Sequence, residues 1–421
     1  MIDIVWVFVT MVGVLTVTSL LRWPLPIALI LSALAGALIA GFGIPFRHLV
    51  EGGFGYLNLI LALFAGAFFG QVLRQSGAAD GLADITATSQ RPLIALLVAG
   101  IPLFLTGMLT GIAGVAVLTA GTFAAAVLRR AGLLPASAAA YIALMGTLGM
   151  IAPPLNVPAM VMADGVNMPF AGFATSLLAL SLPCAVFVLL TFTRHAGRVP
   201  FAAESESTPQ AALRFRATLG AVSILGILLF WSIIRYRPAL AFDPSIPLVL
   251  VIGGLSGLFM LSRRSWAEVA RQVFSGTPLM LAAVLVAVGV LVQIMALTGV
   301  RGWIVINVMS FQTPWIYAAL SGLPLLGSVL TSIGVSNALG VPFAFAFIHQ
   351  DMILNISALS ALSALSEFCP PTAISTALAA YVVGADRLWP IIRAALPTLA
   401  CLTALAVLML MLNPILAPYL R

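Results

Sequence analysis

Apolar residues along this chain fall into long continuous runs separated by short polar segments. One membrane span needs roughly 20 apolar residues, and most of the runs have about that length. The pattern therefore predicts an all-α polytopic membrane protein. The runs cover residues 4–21, 24–44, 54–73, 92–128, 136–162, 170–193, 217–234, 245–262, 273–298, 314–348, 353–383 and 390–417.

Two of the runs, 92–128 and 314–348, are longer than the others and carry Gly, Ser and Thr in the middle. Each is too long for one span, and a turn leaves too few residues for two full crossings. We therefore expect each to form a re-entrant hairpin that enters and leaves the membrane at the same face. The predicted architecture is about 10 transmembrane helices, on the length rule above, plus two re-entrant hairpins.

Two further runs, 136–162 and 353–383, each contain a pair of adjacent prolines. Proline removes a backbone donor and breaks the ladder of helical hydrogen bonds. In lipid no water satisfies the freed carbonyls, so such a break is tolerated only where it lines a cavity or is buried in protein. We expect both runs to be broken helices near mid-membrane. The prolines are Pro153, Pro154, Pro370 and Pro371.

The order of these elements occurs twice along the chain. Residues 1–193 and residues 217–421 each give three spans, a hairpin, a broken helix and a further span. Five spans per half is an odd number, so the second repeat is expected to be inverted relative to the first. Inverted repeats with discontinuous helices are typical of secondary transporters. The spacing between hairpin glycine and double proline is similar in the two halves, 39 positions from Gly114 to Pro153 and 36 from Gly334 to Pro370.

Composition and charge support the membrane class and suggest an orientation. Of 421 residues, 62% are hydrophobic and 7% charged, which no soluble domain of this length tolerates. The polar segment 194–216 is expected to link the two halves and, with four arginines, to lie in the cytoplasm. Fourteen arginines then lie inside and five outside, and both termini are periplasmic. We expect a multi-pass protein of the bacterial inner (cytoplasmic) membrane.

Small and hydroxyl-bearing residues collect around the hairpin tips and the double prolines. Threonine and serine hydroxyls offer neutral oxygen ligands for Na+, while freed carbonyls and half-helix N-termini can hold ions. Small residues also let helices pack closely, which is the alternative explanation. The candidate binding residues are Thr106, Thr110, Gly111, Gly114, Gly149, Pro153, Pro154 and Asn156 in the first half, and Thr331, Ser332, Gly334, Ser336, Asn337, Glu367, Pro370, Pro371 and Thr372 in the second.

Glu367 is an ionisable residue placed by this pattern at mid-membrane depth, where such groups are costly and usually functional. It is expected to act as a cation ligand or as a proton-coupling carboxylate. The alternatives are a position nearer the interface or a structural hydrogen-bonding role.

Other classes of function find little support in the sequence. The three cysteines and three histidines show no paired spacing, so neither a disulfide framework nor a zinc site is expected, and no cofactor beyond the coupling ion. The stretch "GLSG", 254–257, fits the pattern of rhomboid-type serine proteases, but no histidine lies mid-span to act as the base. An enzyme is therefore not expected, and broken helices in an inverted repeat favour alternating access over a channel.

Four stretches carry a family resemblance: "LFAGAFFGQVLRQSGAADGLAD", "LTGMLTGIAG", "GTLGMIAPPLNVPAMVMADGVNMPFAGFATSLLALSLP" and "EFCPPTAISTALAAYVVGADRLWPIIRAALP". A small-residue hairpin is followed by a Gly-rich helix that ends in Pro-Pro. A polar turn then comes about ten residues later, and the next span contains a proline. In these features the chain resembles the large membrane subunit of tripartite ATP-independent periplasmic (TRAP) transporters, within the ion transporter superfamily.

The resemblance implies an elevator-type symporter that takes up carboxylates, such as C4-dicarboxylates or sialic acid, together with sodium. It also implies two partners, a small four-helix membrane subunit and a periplasmic substrate-binding protein. No nucleic-acid partner is expected. On matching positions the implied Na+ candidates are Thr110, Gly111, Gly149 and Asn156 in one half, and Ser332, Gly334, Pro370 and Thr372 in the other.

Two departures from the family pattern keep a second interpretation open. The first tip reads Thr-Gly-Ile-Ala-Gly where a Gly-Ser-Ser-like tip is common, and Glu-Phe-Cys precedes the second Pro-Pro where an apolar-threonine sequence is usual. The "VSN" of residues 335–337 resembles the hairpin signature of divalent-anion sodium symporters. The alternative is therefore a transporter of that type, or a proton-coupled carboxylate transporter, that works without a binding protein.

Overall fold

A computed structural model describes residues 3–76, 92–194, 246–258, 263–274, 276–310, 313–347 and 349–420. These described residues form helices and no strands. Six of the helical segments are long and apolar enough to cross a membrane, which confirms the prediction of an all-α membrane protein. The number of about ten spans stays a prediction. The six segments are Phe46–Gln75, Pro92–Thr110, Ala174–Thr193, Ser265–Leu297, Gly327–Phe345 and Leu388–Met411.

Some of the predicted segments lie outside the described residues. Of the linker 194–216 the structure describes Arg194 alone, and the apolar run 217–234 is not part of the described chain. The division into two repeats at these boundaries therefore stays a prediction.

The helices of the first half follow the predicted runs, with interruptions in the hairpin and at the double proline. The run 92–128 is divided after Thr110, and the run 136–162 is divided between Ile151 and Val157. The helices are α1 (Ile4–Leu20), α2 (Leu25–Ile39), α3 (Phe46–Phe54), α4 (Leu57–Gln75), α5 (Pro92–Thr110), α6 (Ala113–Leu118), α7 (Ala120–Arg130), α8 (Pro135–Ile151), α9 (Val157–Gly165) and α10 (Ala174–Thr193).

The second half is interrupted in the corresponding places. In the hairpin, the helical segment Leu323–Val335 contains one residue with non-helical backbone angles, Thr331, and a π-helix, Ser336–Gly340, follows it. A 3₁₀ turn, Leu365–Phe368, leads into the second double proline. The helices are α11 (Ile246–Leu258), α12 (Arg263–Val273), α13 (Gly276–Leu297), α14 (Val300–Met309), α15 (Thr313–Ser321), α16 (Leu323–Val335), α17 (Val341–Ala346), α18 (Met352–Ala364), α19 (Ile374–Val383), α20 (Leu388–Met411) and α21 (Asn413–Leu420).

Two helices, α8 and α18, lie in the core and are enclosed on every side. All residues of α8 from Ala138 to Ile151 are buried, as are all residues of α18 from Leu354 to Ala364. Both helices are rich in Ala, Gly or Ser, whose small side chains let neighbouring helices approach closely. Because each leads toward a double proline, both breaks follow deeply enclosed helices.

Helices α5 and α8 pack with their backbones almost in contact. A Cβ atom added to Gly107 would lie 2.5 Å from the carbonyl oxygen of Gly146 and 2.8 Å from the nitrogen of Met150. A Cβ on Gly149 would likewise overlap the backbone of Phe104. Real side chains do not reach such distances, so glycine at these positions is required by packing. This contact sets the position of the first hairpin against the first broken helix.

Candidate functional site

The first hairpin is interrupted at Gly111, which has a φ of 65°. Glycine adopts this left-handed conformation without the steric cost that other residues meet. Just before it, the Thr110 hydroxyl donates to the carbonyl of Thr106 at 2.7 Å. A Cβ on Gly111 would lie 3.2 Å from the carbonyl oxygen of Leu155, so the hairpin tip lies against the segment that follows the first double proline.

The first double proline ends α8 and is followed by a capped helix. The peptide bond between Pro153 and Pro154 is cis. Asn156 is fully buried, and its Oδ1 accepts from the nitrogen of Ala159 at 2.9 Å, which caps α9. Its Nδ2 donates to the carbonyl of Ile151 and, across to the second half, to the hydroxyl of Ser360, each at 3.1 Å. In this conformation Asn156 acts as a helix cap and as a link between the halves.

The second hairpin is interrupted at Thr331, whose φ of 65° matches that of Gly111. The two break residues are 220 positions apart, the same offset that separates Gly114 from Gly334. A threonine in this region of φ is uncommon and marks a constrained position. Its hydroxyl oxygen accepts from the nitrogen of Gly334 at 3.4 Å. This hydrogen bond stabilises the break at Thr331 itself.

The second hairpin is also bonded to its own double proline. Both the nitrogen and the hydroxyl of Thr372 donate to the carbonyl of Ser328, at 3.1 and 2.8 Å. The peptide bond between Pro370 and Pro371 is cis, and both prolines are exposed. In each half, hairpin and proline break therefore lie next to each other.

Glu367 is buried and accepts hydrogen bonds at both carboxylate oxygens. Its Oε1 accepts from the hydroxyl of Ser332 at 2.5 Å. Its Oε2 accepts from the hydroxyl and the nitrogen of Ser375, at 2.7 and 3.1 Å. Ser375 is in the first turn of α19, where the helix dipole favours negative charge. Three donors and a helix N-terminus thus surround the carboxylate group.

Glu367 and both hairpin tips line one small cavity. Among the candidate residues, Gly114, Thr331, Ser332 and Glu367 line it, and Met150 and Ile112 contribute apolar walls. The space open to the centre of a water molecule is about 20 Å³. Roughly 10–15 Å³ is enough for one water molecule, so the cavity has room for one water or one small ion and none for an organic acid.

The other candidate residues do not line this cavity. Its lining does not include the threonines before the first break, Asn156 or the four prolines. Ser336 donates to the carbonyl of Ser332 at 2.7 Å, and Asn337 is exposed. The remaining candidates make hydrogen bonds or close backbone contacts that stabilise the two breaks. They are Thr106, Thr110, Gly111, Gly149, Gly334 and Thr372.

The two halves differ in chemistry where they face the cavity. At the hairpin offset of 220, Ser332 corresponds to Ile112; at the proline offset of 217, Glu367 corresponds to Met150. All four residues line the cavity. The first half therefore contributes an apolar wall and the second half the oxygen atoms.

The charge of Glu367 has no cationic side chain beside it in the described chain. The ion pairs found there within 4 Å are those of Glu51 with Arg47 and His48. The described residues also contain no cluster of three His, Cys, Asp or Glu side chains. Carboxylate and hydroxyl oxygens suit hard cations or a proton, whereas soft metals prefer sulfur or imidazole.

Ser375, which the sequence places among the small residues around the second double proline, donates its hydroxyl to Glu367. Two other residues near this site were missed by sequence reasoning. The buried hydroxyl of Tyr56 lies beside Gly334 and has no hydrogen-bond partner among the described residues. Arg301, predicted to lie in an outer loop, reaches the carbonyl of Asn337 in the second hairpin. None of these contacts has a signal in local sequence.

Comparison with models of known protein families gives no match, and comparison with curated proteins gives none either. The resemblance to TRAP-type large subunits therefore stays a prediction that rests on residue patterns.

Proposed function

We propose that this protein is a secondary active transporter that couples the movement of a cation to the uptake of a small organic anion, with Glu367 at the coupling site. The observation that carries the proposal is the buried carboxylate of Glu367 at a cavity lined by both hairpin tips. A buried charge without a cationic neighbour is costly unless a mobile cation or a proton accompanies it.

Na+ is the proposed coupling ion. Thr331, Ser332 and Glu367, which all carry side-chain oxygen atoms, line a space of the size of one ion. Occupation by Na+ would offset the carboxylate charge and join the second hairpin to the 3₁₀ turn. A proton on Glu367 is the second candidate, because the same carboxylate can be neutralised by protonation.

The organic anion is proposed to be a carboxylate, taken up by an elevator movement across the inner membrane. The cavity of about 20 Å³ is too small for it, so its binding requires the hairpin tips to separate from the broken helices. Partners of the TRAP type, a four-helix membrane subunit and a periplasmic binding protein, belong to this proposal and rest on the resemblance.

The test of the proposal is ion-dependent stability of the purified protein, followed by uptake into proteoliposomes. Thermal unfolding is compared in sodium, potassium and choline chloride at equal ionic strength and across pH 5.5 to 8. A ligand that binds the folded state alone stabilises by about 2.7 kcal/mol at one hundred times its Kd. Selective stabilisation by sodium that is lost in Glu367→Gln supports the proposal.

The matched control is Glu51→Gln, because Glu51 is an exposed acid that does not line the cavity. This variant should keep the sodium effect. A pH-dependent stability that Glu367→Gln abolishes, without cation selectivity, would replace Na+ by H+ as the coupling ion. If neither ion effect involves Glu367, and no carboxylate uptake follows a sodium or proton gradient, the proposal is wrong.

A further inference from the structure

A second and larger cavity lies at the outer side of the second hairpin. Its volume is about 330 Å³, at the lower end of the volumes of ligand pockets. Its walls come from α1, α13, α14 and the second hairpin, and include Met11, Leu291, Ile304 and Leu339. We call this cavity the apolar groove. It separates the second hairpin from the helices that surround it.

The lining of the apolar groove leaves no polar group for a hydrophilic ligand. Its one polar lining residue, Ser32, donates its hydroxyl to the carbonyl of Met11 at 2.7 Å. Two lining residues, Val12 and Leu325, are 45% and 70% exposed, so the groove is continuous with the apolar outer surface. In a membrane protein that surface faces lipid, and a hydrocarbon chain is the occupant that this lining fits.

A cationic side chain lies beside the groove. Arg301 follows Val300, a groove residue, and donates to the carbonyl of Asn337, two positions before the groove residue Leu339. Arg301 is half-buried, and no carboxylate of the described residues lies within 4 Å of it. Partly buried arginines are costly and usually pair with an acidic group or a carbonyl. The Asn337 carbonyl is the one hydrogen-bond acceptor of Arg301 among the described residues, so within them the guanidinium has further donors for an anion.

The surroundings of Arg301 also favour an anion. It is in the first turn of α14, which begins after Gly299 and has no side-chain cap. The uncapped backbone N–H groups and the helix dipole attract negative charge at this end. The neighbouring Asn337 is exposed, so the anion has access from outside the hairpin.

We infer that the apolar groove and Arg301 together form a binding site for an anionic membrane lipid. One acyl chain lies in the groove, and the phosphate of the headgroup contacts Arg301. Basic pockets between transmembrane helices bind anionic lipid headgroups. The lipid bridges α1, α13 and α14 to the second hairpin, so its binding stabilises the arrangement in which this hairpin closes the small cavity.

The experiment uses the full-length protein in detergent and does not depend on transport. Phosphatidylglycerol, phosphatidylcholine with the same acyl chains, and glycerol phosphate are titrated, with thermal unfolding and native mass spectrometry as readouts. We expect phosphatidylglycerol to raise the unfolding temperature and to be retained about tenfold more strongly than phosphatidylcholine, a ratio that corresponds to 1.4 kcal/mol. Glycerol phosphate, which lacks the chains, should have no effect.

Two variants separate the two parts of the lipid site. Arg301→Gln should abolish the preference for phosphatidylglycerol, whereas Arg271→Gln, an exposed arginine on α12, should keep it. Val329→Phe, which fills the groove, should weaken retention of both lipids. Equal retention of the two lipids by the wild type would overturn the inference without any variant. Stabilisation by glycerol phosphate alone would also overturn it, because the site would then bind a free anion.

Discussion

At the scale of single residues, the carboxylate of Glu367 determines the chemistry of the central cavity. Its two oxygens are held by Ser332 on the hairpin and by Ser375 on α19, so one side chain connects two elements on either side of the second break. Hydrogen bonds to a charged group contribute about 1.5–3 kcal/mol each, more than neutral ones. A substitution of Ser332 or Ser375 should therefore change the stability of the protein as well as its ion binding.

We predict that Ser332→Ala destabilises the protein by about 1.5–3 kcal/mol, because it removes the donor to one oxygen of a buried carboxylate. The loss of stability caused by Ser332→Ala should be smaller in a Glu367→Gln background, where the carboxylate is absent. The difference between the two losses of stability is the coupling energy between Ser332 and Glu367. Chemical unfolding in mixed micelles measures all four proteins of this cycle.

Ser310→Ala serves as the control for this cycle. The Ser310 hydroxyl is exposed and donates to the carbonyl of Asn307, so its loss should change stability by less than about 0.5 kcal/mol. An equal cost of Ser332→Ala in both backgrounds would show that the hydroxyl does not act through Glu367.

At the scale of elements, the described part is held together by helices that approach at glycine. Gly107 and Gly149 bring α5 and α8 together, and Gly52 meets Gly289 between α3 and α13, where an added Cβ would lie 2.7 Å from a carbonyl oxygen. The space that a side chain at these glycines would need is occupied by the backbone of the neighbouring helix rather than by flexible side chains. These contacts therefore tolerate no added atom without movement of a whole helix.

We predict that Gly107→Ala destabilises the protein by at least about 1–3 kcal/mol, because the new methyl group overlaps the backbone of α8. The displaced α5 should also shift the first hairpin tip and weaken sodium-dependent stabilisation. Thermal unfolding with and without sodium measures both effects.

Gly13→Ala in α1 is the matched control, since nothing lies within 4 Å of the added methyl group. Alanine is the better helix former by about 1 kcal/mol, so this variant should be neutral or stabilising. A similar loss of stability in the two variants would mean that the α5–α8 contact has no special role.

At the scale of the whole molecule, the two halves meet around one cavity and through buried hydroxyl contacts. The hydroxyls of Ser176 and Ser357 lie 2.7 Å apart, and Asn156 bonds to Ser360. Both contacts join the first half to the central helix α18. The orientation of the whole protein in the membrane follows from the distribution of arginine and stays a prediction.

We predict that Asp3→Cys and Tyr419→Cys, near the two ends, react with a membrane-impermeant maleimide in intact cells with a permeabilised outer membrane. Ala267→Cys, exposed on α12, should react only after the inner membrane is opened. The background replaces Cys184, Cys369 and Cys401. Termini that label from opposite sides would contradict the inverted repeat, because two halves of five spans give an even total.

The breaks themselves could be predicted from sequence, because adjacent prolines end a helix wherever they occur. Thr331 could be placed in a hairpin tip but not identified as the break, since a φ of 65° is uncommon for threonine and nothing in the local sequence indicates it. Asn156 as a cation-site residue stays a prediction, and the structure shows in addition that its side chain caps α9. The capping role depends on where the helix begins after the double proline, which the sequence did not specify.

The sequence by itself determined that the chain is helical and apolar enough for a membrane, that two helices are broken, and that one acidic residue lies at a break. These features depend on composition and on local backbone chemistry, which act without regard to distant residues. The tertiary structure alone decided that both hairpin tips share one cavity, that Ser375 and Ser332 hold Glu367, and that Arg301 lies beside an apolar groove. Those contacts join residues far apart in the chain, so they exist only once the helices have packed.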